Sequence, residues 1–91
     1  MKAISVNALP EYKLQLTFDD GVSGIIDLND FIGKGIFLGL RDEQFFNKVY
    51  TTGYSIAWND ELEIDVIAAY AEIVNKKPED ILSADLNYAA N

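Results

Sequence analysis

The chain contains no cysteine and no histidine. Without cysteine there is no disulfide and no thiolate metal site, which is compatible with a reducing cytoplasm. The missing histidine excludes more. It removes the commonest general base near neutral pH, the serine–histidine and cysteine–histidine nucleophile pairs, and the usual zinc sites. Any chemistry would fall to carboxylates, Lys34, Lys48, tyrosine hydroxyls or a bound hard cation. Basic residues are few as well, seven against fifteen acidic ones, for a net charge of −8. They are scattered, and no strip of lysine and arginine with interleaved aromatics forms. Nucleic-acid binding by this chain alone is therefore not expected. The longest near-apolar run, residues 66–71, is far too short to span a bilayer. No charged segment followed by an apolar run opens the chain, so a signal peptide is not expected.

What is present is enough apolar sequence for one core. Of the 91 residues, 49% are hydrophobic, which suits a single domain over residues 1–91 with 87–91 as a frayed tail. No repeat, linker or low-complexity segment divides it. Residues 3–8 alternate, placing Ile4 and Val6 on one face. Residues 12–18 alternate more cleanly, with Tyr12, Leu14, Leu16 and Phe18 facing one way. A third strand runs over 22–28 with Ile26 and Leu28 in phase and Ile25 opposed. Between the last two strands lie Asp19, Asp20 and Gly21, the pattern of a three-residue hairpin loop ending in a left-handed glycine.

Further along, Asn29 or Asp30 can cap a turn through Phe31 and Ile32. Asp42 can cap a second short helix over 42–47. Strands are expected at 48–51 and 54–58, the latter with Tyr54, Ile56 and Trp58 on one face. Leu62 and Ile64 keep a period of two. Asp65 is the best N-cap in the chain, and a helix of about three turns follows over 66–77 with Val66, Ala69, Tyr70 and Ile73 on one stripe. Lys76 and Lys77 complement its C-terminal dipole. Pro78 suits the first turn of a further short helix. The expected class is α+β: an antiparallel β-sheet, built from a three-strand meander plus two further strands, with one main helix on one face and short helices.

The order of these signals resembles the bacterial domain-of-unknown-function family 2442. The residues that carry the resemblance are YKLQLTFDDGVSGIIDL at 12–28, the Phe37–Leu40–Phe45 spacing, and IAWNDELEID at 56–65. The resemblance implies a small α+β domain and an antitoxin-like or regulatory role beside a small neighbouring protein. It brings no enzyme activity and no agreed site. Some relatives carry a helix-turn-helix domain after this one. Here the sequence ends at residue 91, so DNA binding is not expected.

Each candidate site has a competing structural reading. Asp27 and Asp30 could hold a hard cation such as Mg²⁺ or Ca²⁺, yet they also stand at a strand end and a helix cap. Asp19, Asp20 and Asp27 lack the spacing and terminal glutamate of a calcium-binding EF-hand loop. Glu61, Glu63 and Asp65 fall on one outward strand face, as surface charges do. Trp58 suits either a binding hot spot or the core, and its phase with Ile56 favours the core. The stretch GKGIFLGL, residues 33–40, combines glycines, Lys34 and three consecutive apolar residues, Ile36, Phe37 and Leu38. It is either an interface or a lid folded onto the core. The function expected is a non-enzymatic interaction or regulatory domain with no cofactor and no membrane. It would bind a protein partner, favoured if basic, or itself as a homo-oligomer, through Lys34, Ile36, Phe37, Leu38 and Tyr70. The alternative is a small-ligand or metal-binding module with carboxylate chemistry.

Overall fold

A computed structural model describes residues 1–29, 32, 35–77 and 79–80. The expected cap and turn at Asp30–Phe31, and Pro78 with residues 81–91 of the expected C-terminal helix and tail, lie outside the described residues.

The meander forms as expected. Strands β1 (Ala3–Leu9), β2 (Lys13–Phe18) and β3 (Ser23–Asp27) pair antiparallel in that order. The 19–21 loop closes with Phe18 N–H donating to Val22 O at 2.9 Å and Gly21 N–H donating to Phe18 O at 3.0 Å. Gly21 has φ of 89°, the left-handed value that this loop type reserves for glycine. Leu14, Leu16, Phe18, Ile26 and Leu28 are buried and Ile25 is turned out.

Ile4 departs from its expected place beside Val6. The β1–β2 register slips between Ala3 and Ser5, so Ile4 is the extra residue of a bulge and stands exposed while Ala3 is buried. One inserted residue re-aims a side chain in this way.

A 3-10 helix, Gly35–Arg41, then leads into α1 (Glu43–Phe46), where Asp42 acts as the expected cap and accepts the Gln44 N–H at 3.0 Å. The later strands β4 (Tyr50–Thr51), β5 (Ser55–Ala57) and β6 (Glu63–Asp65) form a second three-stranded antiparallel sheet of their own. The α+β class stands, with the strands divided between two sheets. Tyr54 leaves the face of Ile56 and Trp58, because β5 starts only at Ser55 and Tyr54 belongs to the exposed turn before it.

Helix α2 (Val66–Val74) begins on Asp65, whose carboxylate accepts the Ala68 N–H. It ends before Lys76 and Lys77, because Asn75 takes a left-handed conformation (φ 57°) and its N–H bonds the Ala71 carbonyl. The helix lies on β3 at Gly24, where a Cβ would stand 2.6 Å from Ile73 Cγ2.

Among the described residues, hydrogen bonds tie the two sheets at Ala3. Ala3 N–H donates to Gly53 O at 2.8 Å, and the Thr51 hydroxyl donates to Ala3 O at 2.9 Å. A common core joins Leu14, Leu16 and Phe18 of the first sheet to Ile56, Trp58 and Val66 of the second half. Trp58 belongs to it, and its indole N–H donates to the Phe46 carbonyl at 3.0 Å.

Candidate functional site

The carboxylates singled out from sequence organise turns. Asp20 Oδ1 accepts the Val22 N–H at 3.0 Å, and Oδ2 accepts the Tyr70 hydroxyl at 2.5 Å. Asp27 Oδ1 accepts both the backbone N–H and the side-chain amide of Asn29, at 2.9 and 2.6 Å. Those two bonds, backbone first, hold the Asp27 carboxyl below its usual range, with the charge of Lys13 on the neighbouring strand adding to them. Asp30 lies outside the described residues. In the 58–65 stretch, Asn59 Oδ1 accepts the N–H groups of Glu61 and Leu62, and Glu63 accepts the Ser55 hydroxyl at 3.2 Å. Among the described residues, no three acidic side chains converge as metal ligands would.

Of the expected interaction residues, Lys34 and the side chain of Ile36 lie outside the described residues. Phe37 is half-buried and packs against the core. Leu38 is 54% exposed on the 3-10 helix. Tyr70 is half-buried, its ring edge-on to Phe18 with centroids 4.9 Å apart. The bond to Asp20, with burial and the charge of that carboxylate, pushes its phenol up to about 12.

Sequence reasoning missed two surfaces. One lies at the seam of the two sheets, where Ile4 and Tyr54 are 62% and 65% exposed and Tyr50 is 43% exposed. Their segments meet through the Ala3–Gly53 and Thr51–Ala3 hydrogen bonds. Lys2 Nζ stands 5.4 Å from the centre of the Tyr54 ring. The available signal was Gly53, which ends the alternation before Tyr54.

The other is a cleft of about 440 Å³ between the β1–β2 turn and α1. It is lined by Ala8, Leu9, Pro10, Glu11, Tyr12, Glu43, Phe46 and Asn47. Glu11 and Tyr12 both hold positive φ, 65° and 60°, a strained pairing for residues other than glycine. Long-range bonds fix it: Asn29 donates to Glu11 O at 2.6 Å, Leu28 N–H to Tyr12 O at 3.0 Å, and the Tyr12 hydroxyl to Arg41 O at 2.6 Å. The Tyr12 ring meets Phe46 edge-on, with centroids 5.4 Å apart. Pro10 signals a break in the strand, but no local sequence signal marks positive φ at the two residues after it.

No helix among the described residues is long and apolar enough to cross a membrane. A family model described as a protein of unknown function (DUF2442) matches residues 3–75. No curated protein and no solved structure matches the chain.

Proposed function

We propose, from the premise that this chain belongs to the DUF2442 family, that it is a non-enzymatic protein-interaction domain of a regulatory kind. It binds a partner protein, or a second copy of itself, through apolar side chains left exposed at the seam between its sheets. The observation that carries this reading is the exposure of Ile4, Tyr50 and Tyr54 on segments that meet at that seam. Single exposed apolar residues are ordinary on a protein surface. Three on adjoining segments, two of them tyrosines, have the composition of an interface centre. Leu38 is a further candidate contact on the 3-10 helix. An antitoxin-like role is one form this function can take.

The carboxylates give the competing ligand-binding reading less support, since those of Asp20, Asp27 and Asp65 accept N–H groups of their own turns and caps.

Sedimentation over a wide concentration range, together with recovery of bound protein from the native cell extract, tests the proposal. The expected result is a concentration-dependent dimer or a stoichiometric partner, abolished by Ile4→Ser combined with Tyr54→Ser. A strict monomer with no recovered partner, or association indifferent to that double substitution, would overturn it. A melting temperature raised by millimolar Mg²⁺ or Ca²⁺ would favour the ligand-binding reading instead.

A further inference from the structure

The β1 edge opens onto the cleft, and the hydrogen-bond alternation shows which groups it presents. Phe18 N–H bonds β3 through Val22 O, and Tyr12 O accepts from Leu28 N–H beyond β3. Even-numbered residues of β2 thus turn their backbone groups toward β3, and odd-numbered ones toward β1. The β1 partners of the odd ones are Ser5, Asn7 and Leu9. Val6 and Ala8 therefore turn their N–H and C=O groups away from β2, to the outer side of β1. At its N-terminal end that outer side is occupied, by the Ala3–Gly53 bond. Past the bulge, no described residue hydrogen-bonds the backbone groups of Val6 or Ala8. Ala8 lines the cleft, with Glu43, Phe46 and Asn47 of the α1 segment also on its wall.

A strand edge whose end opens onto a cleft can accept one more extended strand. Its unpaired backbone groups supply affinity, and the flanking side chains supply selectivity. Here the flanking side chains specify charge. The lining residues include two glutamates, Glu11 and Glu43, and no lysine or arginine. Lys13 lies 3.8 Å from Glu11 and offsets part of its charge. Glu43 has no ion pair among the described residues. The chain as a whole carries −8, which disfavours a second copy as the incoming strand and favours a cationic one. The half-buried Tyr12 ring, backed by the buried Phe46, supplies apolar surface for a side chain of the incoming strand.

We propose that the outer edge of β1 at Val6 and Ala8, with the cleft lined by Glu11, Tyr12 and Glu43, binds an extended basic segment of a partner protein by strand addition. This inference rests on the reading of the chain as an interaction domain, but it uses a surface separate from the seam residues Ile4, Tyr50 and Tyr54.

The test uses the full chain labelled with ¹⁵N and a synthetic probe, the blocked heptapeptide Arg-Val-Arg-Val-Arg-Val-Arg. Its counterpart, with glutamate in place of arginine, is the control. On addition of the basic peptide, the amide resonances of Val6, Ala8 and Asn47 move, and the Val6 and Ala8 amides exchange more slowly with solvent. Glu43→Lys, at an exposed helix position, weakens binding roughly two- to fivefold. Ala8→Pro, which deletes one outward N–H, weakens it roughly three- to tenfold. Absence of movement at millimolar peptide, equal response to the acidic peptide, or movement confined to the β3 or β6 edge would overturn the proposal. Movement of the same amides on concentrating the chain alone would assign the edge to a second copy and overturn it equally. Ile4→Ser with Tyr54→Ser leaves peptide binding unchanged. Loss of seam association with peptide binding intact, or the reverse, therefore shows which of the two readings has failed.

Discussion

At the scale of single residues, the contact between Tyr70 and Asp20 is the clearest case of a side chain with two competing uses. An aromatic residue on the apolar stripe of a helix, beside Val66, Ala69 and Ile73, reads from sequence as either core or an interface anchor. In the fold its hydroxyl is already spent on Asp20 at 2.5 Å, and its ring on Phe18. The bond fastens α2 to the 19–21 hairpin loop. It also makes a pH signature, because only the neutral phenol can donate. The hydrogen bond to Asp20, burial and the nearby negative charge together raise the Tyr70 pKa from 10.0 to about 12. In the unfolded chain the same phenol ionises near its ordinary value. A group whose folded pKa lies above its unfolded one gives its full stabilisation below the unfolded pKa and loses it as pH rises through the folded value. The contribution is therefore complete at neutral pH and disappears between about 10 and about 12. Tyr70→Phe should cost about 0.5–1.5 kcal/mol at neutral pH. In paired denaturant melts its deficit against the wild type should shrink steadily across that alkaline window. The four other tyrosines cancel in the difference. A deficit constant from pH 8 to pH 12 would mean that the contact does not form.

Elements were legible where the signal was local. Strands β2 and β3 and their loop follow from strict alternation around Asp19-Asp20-Gly21. The starts of α1 and α2 follow from Asp42 and Asp65. What was not legible depends on partners distant in sequence. Ile4 is expelled by a slip against β2, which nothing in residues 3–8 records. Glu11 and Tyr12 carry no glycine or asparagine to announce their positive φ; Asn29, Leu28 and Arg41 hold them there. The division into two sheets depends on β4, β5 and β6 pairing among themselves, and alternation has the same period in either arrangement. The cleft and the seam were hidden for these reasons, since each is built where separate elements meet.

Gly24 shows how much one such meeting constrains. In sequence it is a gap in the apolar phase of β3. In the fold it is the space that admits Ile73 of α2. Ile73 is β-branched and stiff within a helix, so its Cγ2 cannot swing clear of an added methyl group. Gly24→Ala should destabilise by about 1–3 kcal/mol. Combined with Ile73→Ala, the two costs should fall short of their sum, as they do for residues that share one space. Strict additivity in that double-mutant cycle would show that α2 does not rest on β3 at this point.

At the scale of the whole molecule, the question is whether two small sheets behave as one folded unit. A three-stranded sheet of two- and three-residue strands, such as β4–β6, has little independent stability. It gains that stability by sharing a core with the first sheet and by the joint at Ala3. Thr51 carries much of the joint, because one hydroxyl donates to Ala3 O at 2.9 Å and accepts from Gly53 N–H at 3.0 Å. The same Gly53 closes the joint from its other side by accepting from Ala3 N–H. Thr51→Val keeps the shape and removes both of the hydroxyl's bonds at a half-buried position, which should cost about 1–3 kcal/mol. The single tryptophan lies in the shared core, with its indole bonded to Phe46 O at the end of α1. Its fluorescence therefore reports on the second half of the chain, while far-UV circular dichroism weights the longer strands of the first sheet. If the sheets form one cooperative unit, the two signals should trace one transition in wild type and Thr51→Val alike, both moving to lower denaturant by the same amount. If fluorescence shifts while the dichroism transition stays in place, the sheets unfold separately. The seam residues Ile4, Tyr50 and Tyr54 would then lie on two bodies free to move apart, and could not serve together as a preformed binding surface.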